Sequence, residues 1–301
     1  MEISLGFLRK MNSNKIKGYA AGILAAIFYG TNPLGTLTLY ADGINAGSVL
    51  FYRYILAVVM FAAWMLVTRE DFRIKWGHAI KFAVLGTFMA MSSVALYVSF
   101  HYMDAGVAST ILFSYPIMTA VLMVAFFHER VTWTTTLSIT LAVAGIALLY
   151  RGDGNVTLSG MGIILVLLSS LLYAFYIISV NQFHTSYSPV KFTFWVVFFG
   201  WLSIVVYCGI AGDSIQLLHG WKEWASGIQL ALLPTVLSLY FMTIAIKNIG
   251  STPSAIMGAL EPVTAVVIGV FIFGELFTFR LAVGIVLILS AVILIVLRKN
   301  H

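Results

Sequence analysis

The chain has 301 residues, of which 61% are hydrophobic and 9% are charged, whereas soluble domains carry about 25% charged residues. This composition excludes an ordinary soluble enzyme and indicates a protein that crosses a membrane several times. The formal net charge is +6, but the basic residues cluster at the ends of apolar segments, which indicates membrane topology rather than nucleic-acid binding. A single cysteine, Cys208, excludes an internal disulfide.

Hydropathy predicts an all-α integral membrane protein with ten transmembrane helices. Residues 1–17 are polar and basic and are predicted to form a cytoplasmic tail, while the following apolar stretch is too long for the core of a signal peptide. Ser188 and Thr252 are expected to cap the seventh and ninth spans, because each precedes a proline suited to a first helical turn. The predicted spans are 18–40, 46–67, 79–101, 106–127, 131–150, 158–182, 189–210, 225–246, 252–274 and 279–297.

The distribution of lysine and arginine predicts the orientation of these spans. With an even number of spans both termini lie on one side, and thirteen of the 17 basic residues fall on that side. Three lie on the opposite side, and Arg53 lies within the second span. Because lysine and arginine accumulate in cytoplasmic loops, both termini are predicted to be cytoplasmic, in a multi-pass protein of the cytoplasmic (inner) membrane.

The sequence also repeats itself. A shift of 146 residues lays Pro116 on Pro262 and Glu129 on Glu275, with the same separation in each half. The predicted repeats are therefore residues 18–152 and 153–298, each with five spans, followed by a cytoplasmic tail, 299–301. An odd number of spans per half forces opposite orientations, which is the inverted-repeat plan of many secondary transporters. Further matches are Val121/Val267, Val124/Val270, Phe127/Phe273, Thr132/Thr278 and Ile139/Ile285, and, at a shift of 144, Gly18/Gly162 and Tyr29/Tyr173.

Residues 245–262, AIKNIGSTPSAIMGALEP, followed by Gly274 and Glu275, resemble the second-repeat signature of the EamA-like branch of the drug/metabolite transporter superfamily. Residues 99–116, SFHYMDAGVASTILFSYP, resemble it less closely, and Arg53 stands where the family usually has an arginine. The resemblance implies two five-helix halves, a carrier that works by alternating access, and peripheral fifth and tenth spans. Small multidrug relatives have an essential glutamate in their first span, whereas this chain has Asn32 there, so their proton-antiport chemistry is not carried over.

Glu261 is the one charged residue in the apolar run 251–273. About ten residues into a span of about 20, it is predicted to lie near the bilayer midplane, where an ionisable group indicates function. Pro262 cannot donate a hydrogen bond to the carbonyl of Gly258, so an acceptor should be freed one turn away. We interpret Glu261 as a candidate substrate-binding or proton-binding group. The alternative is a carboxylate that accepts a hydrogen bond from a neighbouring helix.

Arg53 is the one basic residue well inside a predicted span. A buried guanidinium stays charged and needs an anionic or carbonyl partner. Three interpretations are open: a structural salt bridge with Glu261 as the obvious partner, a side chain that extends to the membrane surface, and a group that binds the carboxylate of a substrate.

Other candidates follow from helical spacing of polar and aromatic residues inside spans. Packing between helices explains each of them equally well, and tyrosine is also common at the membrane interface. The further substrate-binding or proton-binding candidates are Asn32, Tyr29, Tyr97, Tyr115, Tyr173, Thr235 and Thr264.

Four prolines interrupt the predicted lining helices and are either hinges or static kinks: Pro33, Pro116, Pro234 and Pro262.

These features predict a secondary transporter for small metabolites, amino acids or drug-like solutes, and the resemblance implies that it is an exporter. Its partners would be such a solute and membrane lipid, not nucleic acid, and proton or ion coupling would use Glu261. No sequence cluster has metal-ligand spacing and no phosphate-binding loop occurs, so no cofactor and no metal are expected. The alternatives are a membrane-embedded enzyme, although no pair of aspartates lies within the spans, and a channel or scaffold subunit, although the loops are short. Monomer and homodimer are both open.

Overall fold

The computed structural model describes residues 2–103, 108, 111–128, 130, 132–149, 159–212, 214–273 and 278–297. Within these ranges every regular element is a helix. Glu129, Glu275 and Arg151 fall outside them. The helices are α1 (Glu2–Tyr29), α2 (Asn32–Ala41), α3 (Ala46–Val67), α4 (Trp76–Ser99), α5 (Tyr115–Phe127), α6 (Trp133–Leu149), α7 (Gly160–Gln182), α8 (Pro189–Ala211), α9 (Trp221–Ala231), a π-helix (Leu232–Leu237), α10 (Ser238–Ile249), α11 (Ser251–Met257), α12 (Leu260–Phe273) and α13 (Phe279–Leu297).

Six helical segments are long and apolar enough to cross a membrane, and they correspond to the second, third and sixth to ninth predicted spans. The other four predicted spans contain interrupted or shorter helices. The part of the chain described here is therefore an all-helical, multi-pass membrane protein, while the count of ten stays a prediction. The six segments are Ala46–Val67, Trp76–Ser99, Gly160–Gln182, Pro189–Ala211, Trp221–Ile249 and Ser251–Ile268.

The two expected helix caps have different outcomes. The Ser188 hydroxyl oxygen accepts a hydrogen bond of 3.1 Å from the backbone N–H of Lys191, and a proline occupies the first turn of α8, so this predicted start is confirmed. The predicted cap at Thr252 is wrong. Gly250 stands at the N-cap of α11 with a φ of 85°, which a residue without Cβ adopts readily, and Thr252 lies inside the helix.

The first and eighth predicted spans are not regular helices. α1 begins at Glu2, so most of the predicted tail is helical, and the first span is interrupted between Tyr29 and Asn32. In the eighth span the helix widens to a π-helix that contains Pro234. Because proline has no N–H, the regular α-helical hydrogen bond cannot form there.

The fourth and ninth predicted spans are interrupted at equivalent places. A turn at residues 113–114 precedes α5, in which Pro116 is the second residue. A turn at residues 258–259 precedes α12, in which Pro262 is the third residue. Since Pro116 and Pro262 match at the repeat shift of 146, the interruption belongs to both repeats.

The packing of helices also repeats between the two halves. α1, in the first span, packs on α10, in the eighth. The equivalent contact after exchange of the repeats is that of α7, in the sixth span, with α4, in the third. α4 packs on α8, and its counterpart is the packing of the α9–π–α10 segment on α3. The contacts α3 with α8 and α6 with α13 join equivalent spans. This pattern of contacts stays the same when the two halves are exchanged. The helices are therefore arranged as two repeats.

Glycines allow the closest of these approaches. A Cβ on Gly86 of α4 would lie 2.6 Å from the backbone nitrogen of Gly200 in α8, so the two backbones cross almost in contact. Small residues at such crossings are typical of membrane helix packing, where dispersion contacts between backbones replace the hydrophobic effect.

Candidate functional site

A small cavity lies where helices of both repeats meet. The volume open to the centre of a water molecule is about 10 Å³, so the cavity can hold about one water molecule. A solute the size of a metabolite therefore requires the surrounding helices to separate. The lining residues are Tyr29, Met89, Ser92, Ser93, Leu96, Leu112, Tyr115, Ser169, Tyr173 and Glu261.

Glu261 is the charged group of this cavity. Its side chain is 6% exposed and has no hydrogen-bond or ion-pair partner among the described residues. The acceptor expected from Pro262 is not free, because the Gly258 carbonyl accepts a 2.9 Å hydrogen bond from the backbone N–H of Glu261 itself. At the helix break the backbone groups are thus hydrogen-bonded to each other, whereas the Glu261 carboxyl group has no hydrogen-bond partner among the described residues. This is unusual for a buried polar group.

Tyr115 faces the same cavity and also has an unsatisfied polar group. Its side chain is 1% exposed, and its hydroxyl has no hydrogen-bond partner. The ring packs edge to face against Tyr173, with 4.9 Å between ring centroids. A Cβ on Gly258 would overlap the Tyr115 hydroxyl. The absence of a side chain at Gly258, in the turn between α11 and α12, therefore makes room for this tyrosine.

The serines of the cavity wall are, in contrast, already hydrogen-bonded. The Ser92 and Ser169 hydroxyls each donate to the other's backbone carbonyl, at 2.9 and 2.7 Å, and join α4 to α7. The Ser93 hydroxyl lies 3.0 Å from that of Tyr54. Sequence reasoning did not select Ser92, although Met89, Ser92 and Ser93 follow the helical spacing that marks one face of α4.

The four largest polar groups of the cavity form two pairs related by the repeat. Tyr29 matches Tyr173 at a shift of 144, and Tyr115 matches Glu261 at a shift of 146. The first pair is chemically identical. In the second pair, a phenol in one repeat corresponds to a carboxyl group in the other, so only one side of the cavity carries a carboxylic acid.

Arg53 lies in a second polar cluster, and it is 0% exposed. Its Nε donates to the Thr235 hydroxyl at 2.7 Å, and its Nη1 donates to the Tyr97 hydroxyl at 3.1 Å and to Asn32 Oδ1 at 3.5 Å. Its Nη2 donates to the Pro234 carbonyl at 3.5 Å. Every guanidinium nitrogen therefore has an acceptor, and the acceptors come from α2, α4 and the π-helix.

The π-helix places two of these acceptors. Pro234 supplies its own carbonyl to Arg53, and Thr235 donates its hydroxyl hydrogen to the Leu230 carbonyl at 2.8 Å. The Thr235 oxygen is then oriented to accept from Arg53. Wide turns of this kind are frequent at functional sites, because they turn backbone and side-chain groups out of the regular helical pattern.

The structure contradicts two of the three interpretations of Arg53. It does not extend to a surface, and it forms no ion pair with Glu261 in the described part of the chain, so both expectations are wrong. The Tyr29 ring, which also lines the cavity, lies 5.6 Å from the guanidinium carbon. The guanidinium links neighbouring helices through neutral acceptors, and its binding of a substrate carboxylate stays a prediction.

Thr264 belongs to neither cluster. Its hydroxyl donates to the Leu260 carbonyl at 3.1 Å, and a Cβ on Gly30 would lie 2.6 Å from the Thr264 Cβ. It packs where α1 ends against α12. The other sequence candidates divide between the cavity, with Tyr29, Tyr115, Tyr173 and Glu261, and the Arg53 cluster, with Asn32, Tyr97 and Thr235.

An all-helical membrane chain whose two equivalent halves enclose a buried polar cavity has the architecture of a membrane transporter. The EamA-like transporter family matches residues 16–151 and 160–297, with one match in each repeat. The chain belongs to this family, in agreement with the resemblance found in residues 245–262.

Several known proteins are similar to this chain, and each is an uncharacterized transporter. One from Archaeoglobus fulgidus is 24% identical over 92% of this chain and 95% of its own length. One from Synechocystis sp. is 27% identical over 70% of this chain and 64% of its own. The YdfC protein of Bacillus subtilis is 24% identical over 65% of this chain, and the match likewise spans 64% of that protein.

A crystal structure of another protein superposes with a TM-score of 0.78 at 15% identity, covering 92% of this chain and 95% of the other. At this identity the likeness concerns the fold alone. It supports the helix arrangement and carries no information on the solute.

Proposed function

We propose that this protein is a secondary transporter that exports small metabolites, amino acids or drug-like solutes across the cytoplasmic membrane by alternating access. The observation that carries the proposal is the Glu261 carboxyl group, which is buried, has no partner among the described residues and faces a cavity lined by both repeats. Such a site inside a bilayer is costly, and it is retained in proteins that use it.

In this proposal ten spans form two five-helix repeats, 18–152 and 153–298, of opposite orientation. The repeated pattern of helix contacts supports the division, and the excess of lysine and arginine on one side supports cytoplasmic termini. The interruptions at Pro33, Pro116, Pro234 and Pro262 serve as hinges. They lie next to the two polar clusters, where bending would change the size of the cavity.

The two clusters suggest which parts move. Arg53 holds α2, α3, α4 and the π-helix together through hydrogen bonds. Around Glu261, α5 and α12 have no such network among the described residues. We therefore expect the cavity to open by movement of α5 and α12 relative to the unit around Arg53.

The direct test is counterflow in proteoliposomes. Vesicles that contain the purified protein are loaded with a metabolite mixture, and mass spectrometry identifies what exchanges. Saturable exchange of a few solutes without ATP is expected, and loss of exchange in Glu261→Gln would assign it to this site. Glu223→Gln, which changes a carboxylate in the first turn of α9 and outside the cavity lining, is the matched control. Absence of exchange of any solute would overturn the transport function.

Coupling to protons is tested in the same vesicles. If Glu261 carries the coupled proton, an imposed pH gradient accelerates transport by the unmodified protein but does not accelerate any exchange that remains in Glu261→Gln, because an amide does not ionise. Transport by Glu261→Gln that keeps its full dependence on the pH gradient would exclude this role. A channel would conduct without counterflow, and an enzyme would produce a new compound, so both alternatives are detected as well.

A further inference from the structure

Resting on the proposed transport function, we infer that the solute is an organic amine that places its protonated amino group against Glu261 and carries no carboxylate. Three features of the cavity favour such a solute: its carboxylic acid, the aromatic rings around it and the lack of a lysine, arginine or histidine among its lining residues.

Charge is the first argument. Among the lining residues Glu261 is the one carboxylic acid, and no lysine, arginine or histidine faces the cavity. An ionised carboxylate buried without a partner is costly, so the group holds a proton unless a cation compensates it, and an ammonium group supplies both the opposite charge and hydrogen-bond donors. We therefore expect the ligand that stabilises the ionised form of Glu261 to be a cation.

The aromatic rings give the second argument. Tyr29, Tyr115 and Tyr173 line the cavity together with Glu261. Aromatic faces attract ammonium groups, and the unpartnered Tyr115 hydroxyl has lone pairs that accept one ammonium hydrogen. The site thus offers two acceptors, the Glu261 carboxylate and the Tyr115 hydroxyl, to a bound amino group.

A solute carboxylate meets no comparable partner. It would share a small, water-poor space with the Glu261 carboxylate, where like charges repel strongly. Arg53 lies 5.6 Å from the ring of Tyr29, a lining residue, and its nitrogens already donate to Thr235, Tyr97 and other acceptors. Amino acids should consequently bind less well than the amines that correspond to them.

Arg53 also affects the amine. Its positive charge lies behind Tyr29 and opposes a second cation in the cavity. The Glu261 carboxylate must offset this repulsion, so recognition should depend on it completely. The remaining lining residues, Met89, Leu96 and Leu112, are apolar and suit a solute with an apolar body.

The test measures binding to the purified full-length protein in detergent, by calorimetry and by thermal stabilisation. The probes are phenethylamine with phenylalanine and 2-phenylethanol, and isoamylamine with leucine and isoamyl alcohol. Each amine is expected to bind saturably and about 10-fold or more tightly than its amino acid or alcohol, the difference that one lost ionic hydrogen bond produces.

Variants assign this preference to the cavity. Glu261→Gln should lose amine binding, and Glu261→Asp, which keeps the charge on a shorter side chain, should retain the preference with reduced affinity. Tyr115→Phe should weaken binding about 3-fold to 10-fold, as expected for one hydrogen bond. Glu223→Gln should bind as the unmodified protein does.

The outcomes separate the two proposals. If counterflow identifies a solute while no amine probe binds, or if amino acids bind as well as amines, the amine inference is wrong and the transport function stands. If amines bind and Glu261→Gln binds them equally, the assignment to this cavity is wrong. If no solute exchanges in counterflow and no probe binds, both proposals are wrong.

Discussion

Arg53 and Glu261 are both buried charged residues in an apolar protein, but their surroundings differ. Every nitrogen of Arg53 donates to an acceptor on a neighbouring helix, whereas the Glu261 carboxyl group has no partner in the described residues. A polar network that joins several helices rigidifies a structure, and a buried polar group without a partner is available to a ligand. Burial alone would not have distinguished the two. Their hydrogen bonds do.

Both clusters depend on a proline that disturbs a helix, with opposite results. At Pro234 the helix widens, and the released groups of Pro234 and Thr235 turn towards Arg53. At Pro262 the helix breaks, and the Gly258 carbonyl is taken by the backbone of Glu261. The same chemical cause therefore completes one polar site and leaves the other open.

The largest effect is expected from Arg53→Met. The substitution keeps an apolar side chain of similar length but leaves the Thr235 and Tyr97 hydroxyls and the Pro234 carbonyl without their donor. Each buried acceptor that loses its donor costs about 1–3 kcal/mol, so the loss of these bonds should lower the free energy of unfolding by about 3–5 kcal/mol. Denaturant unfolding in detergent, followed by circular dichroism, measures it. Arg73→Met, on an exposed residue, is the control, and equal stability of the two variants would contradict a structural role.

Gly258→Ala is expected to have the next largest effect. The added methyl group would overlap the Tyr115 hydroxyl, and overpacking of this kind costs about 1–3 kcal/mol. Tyr115→Phe in the same chain should restore part of the lost stability, which a double-mutant cycle measures. Gly160→Ala is the matched control, since a Cβ there meets nothing within 4 Å. Additive effects at positions 258 and 115 would contradict the contact.

Removal of the tyrosine hydroxyl at position 97 or 115 is expected to change stability less, and by different amounts in the two polar clusters. Tyr97→Phe removes an oxygen that bonds Arg53, Thr36 and Asn32, and should cost about 1–3 kcal/mol because buried partners are left unsatisfied. Tyr115→Phe removes an oxygen without a partner and should leave thermal stability unchanged or slightly higher. If the two variants melt at the same temperature, the distinction between the clusters is lost.

The smallest effect on stability is expected from Glu261→Gln. Since no described group is bonded to this carboxyl, the neutral amide of the same shape should change the free energy of unfolding by less than about 1 kcal/mol. Solute exchange in proteoliposomes should nevertheless be lost. A variant that loses several kcal/mol, or one that transports normally, would place Glu261 in the framework instead of the binding site.

Sequence patterns were most reliable where one physical term dominates. Hydropathy placed the second span at residues 46–67, which are the bounds of α3. A continuous apolar run in a bilayer satisfies its backbone only as a helix, so few alternatives compete. The same reasoning selected Glu261, because a charge at that depth requires an explanation.

The partners of these residues were not predictable in the same way. The ion pair between Arg53 and Glu261 was plausible from their types, but the Tyr29 ring stands beside Arg53 and within the wall of the Glu261 cavity. Likewise Pro234 indicated a disturbed helix but did not specify a π-helix. In the structure the π-helix is accompanied by hydrogen bonds of Thr235 with the Leu230 carbonyl and with Arg53, which lies on a different helix. Contacts between distant helices are set by packing, which local patterns do not encode.

The matched tyrosines of the cavity have one more consequence. A cavity whose two walls were chemically equal would accept a bound molecule in two equivalent poses, related by the rotation that exchanges the two repeats. Tyr29 and Tyr173 preserve that degeneracy, whereas the replacement of a phenol at position 115 by an acid at position 261 removes it. A single unmatched pair thereby fixes which end of a bound molecule faces which half of the protein.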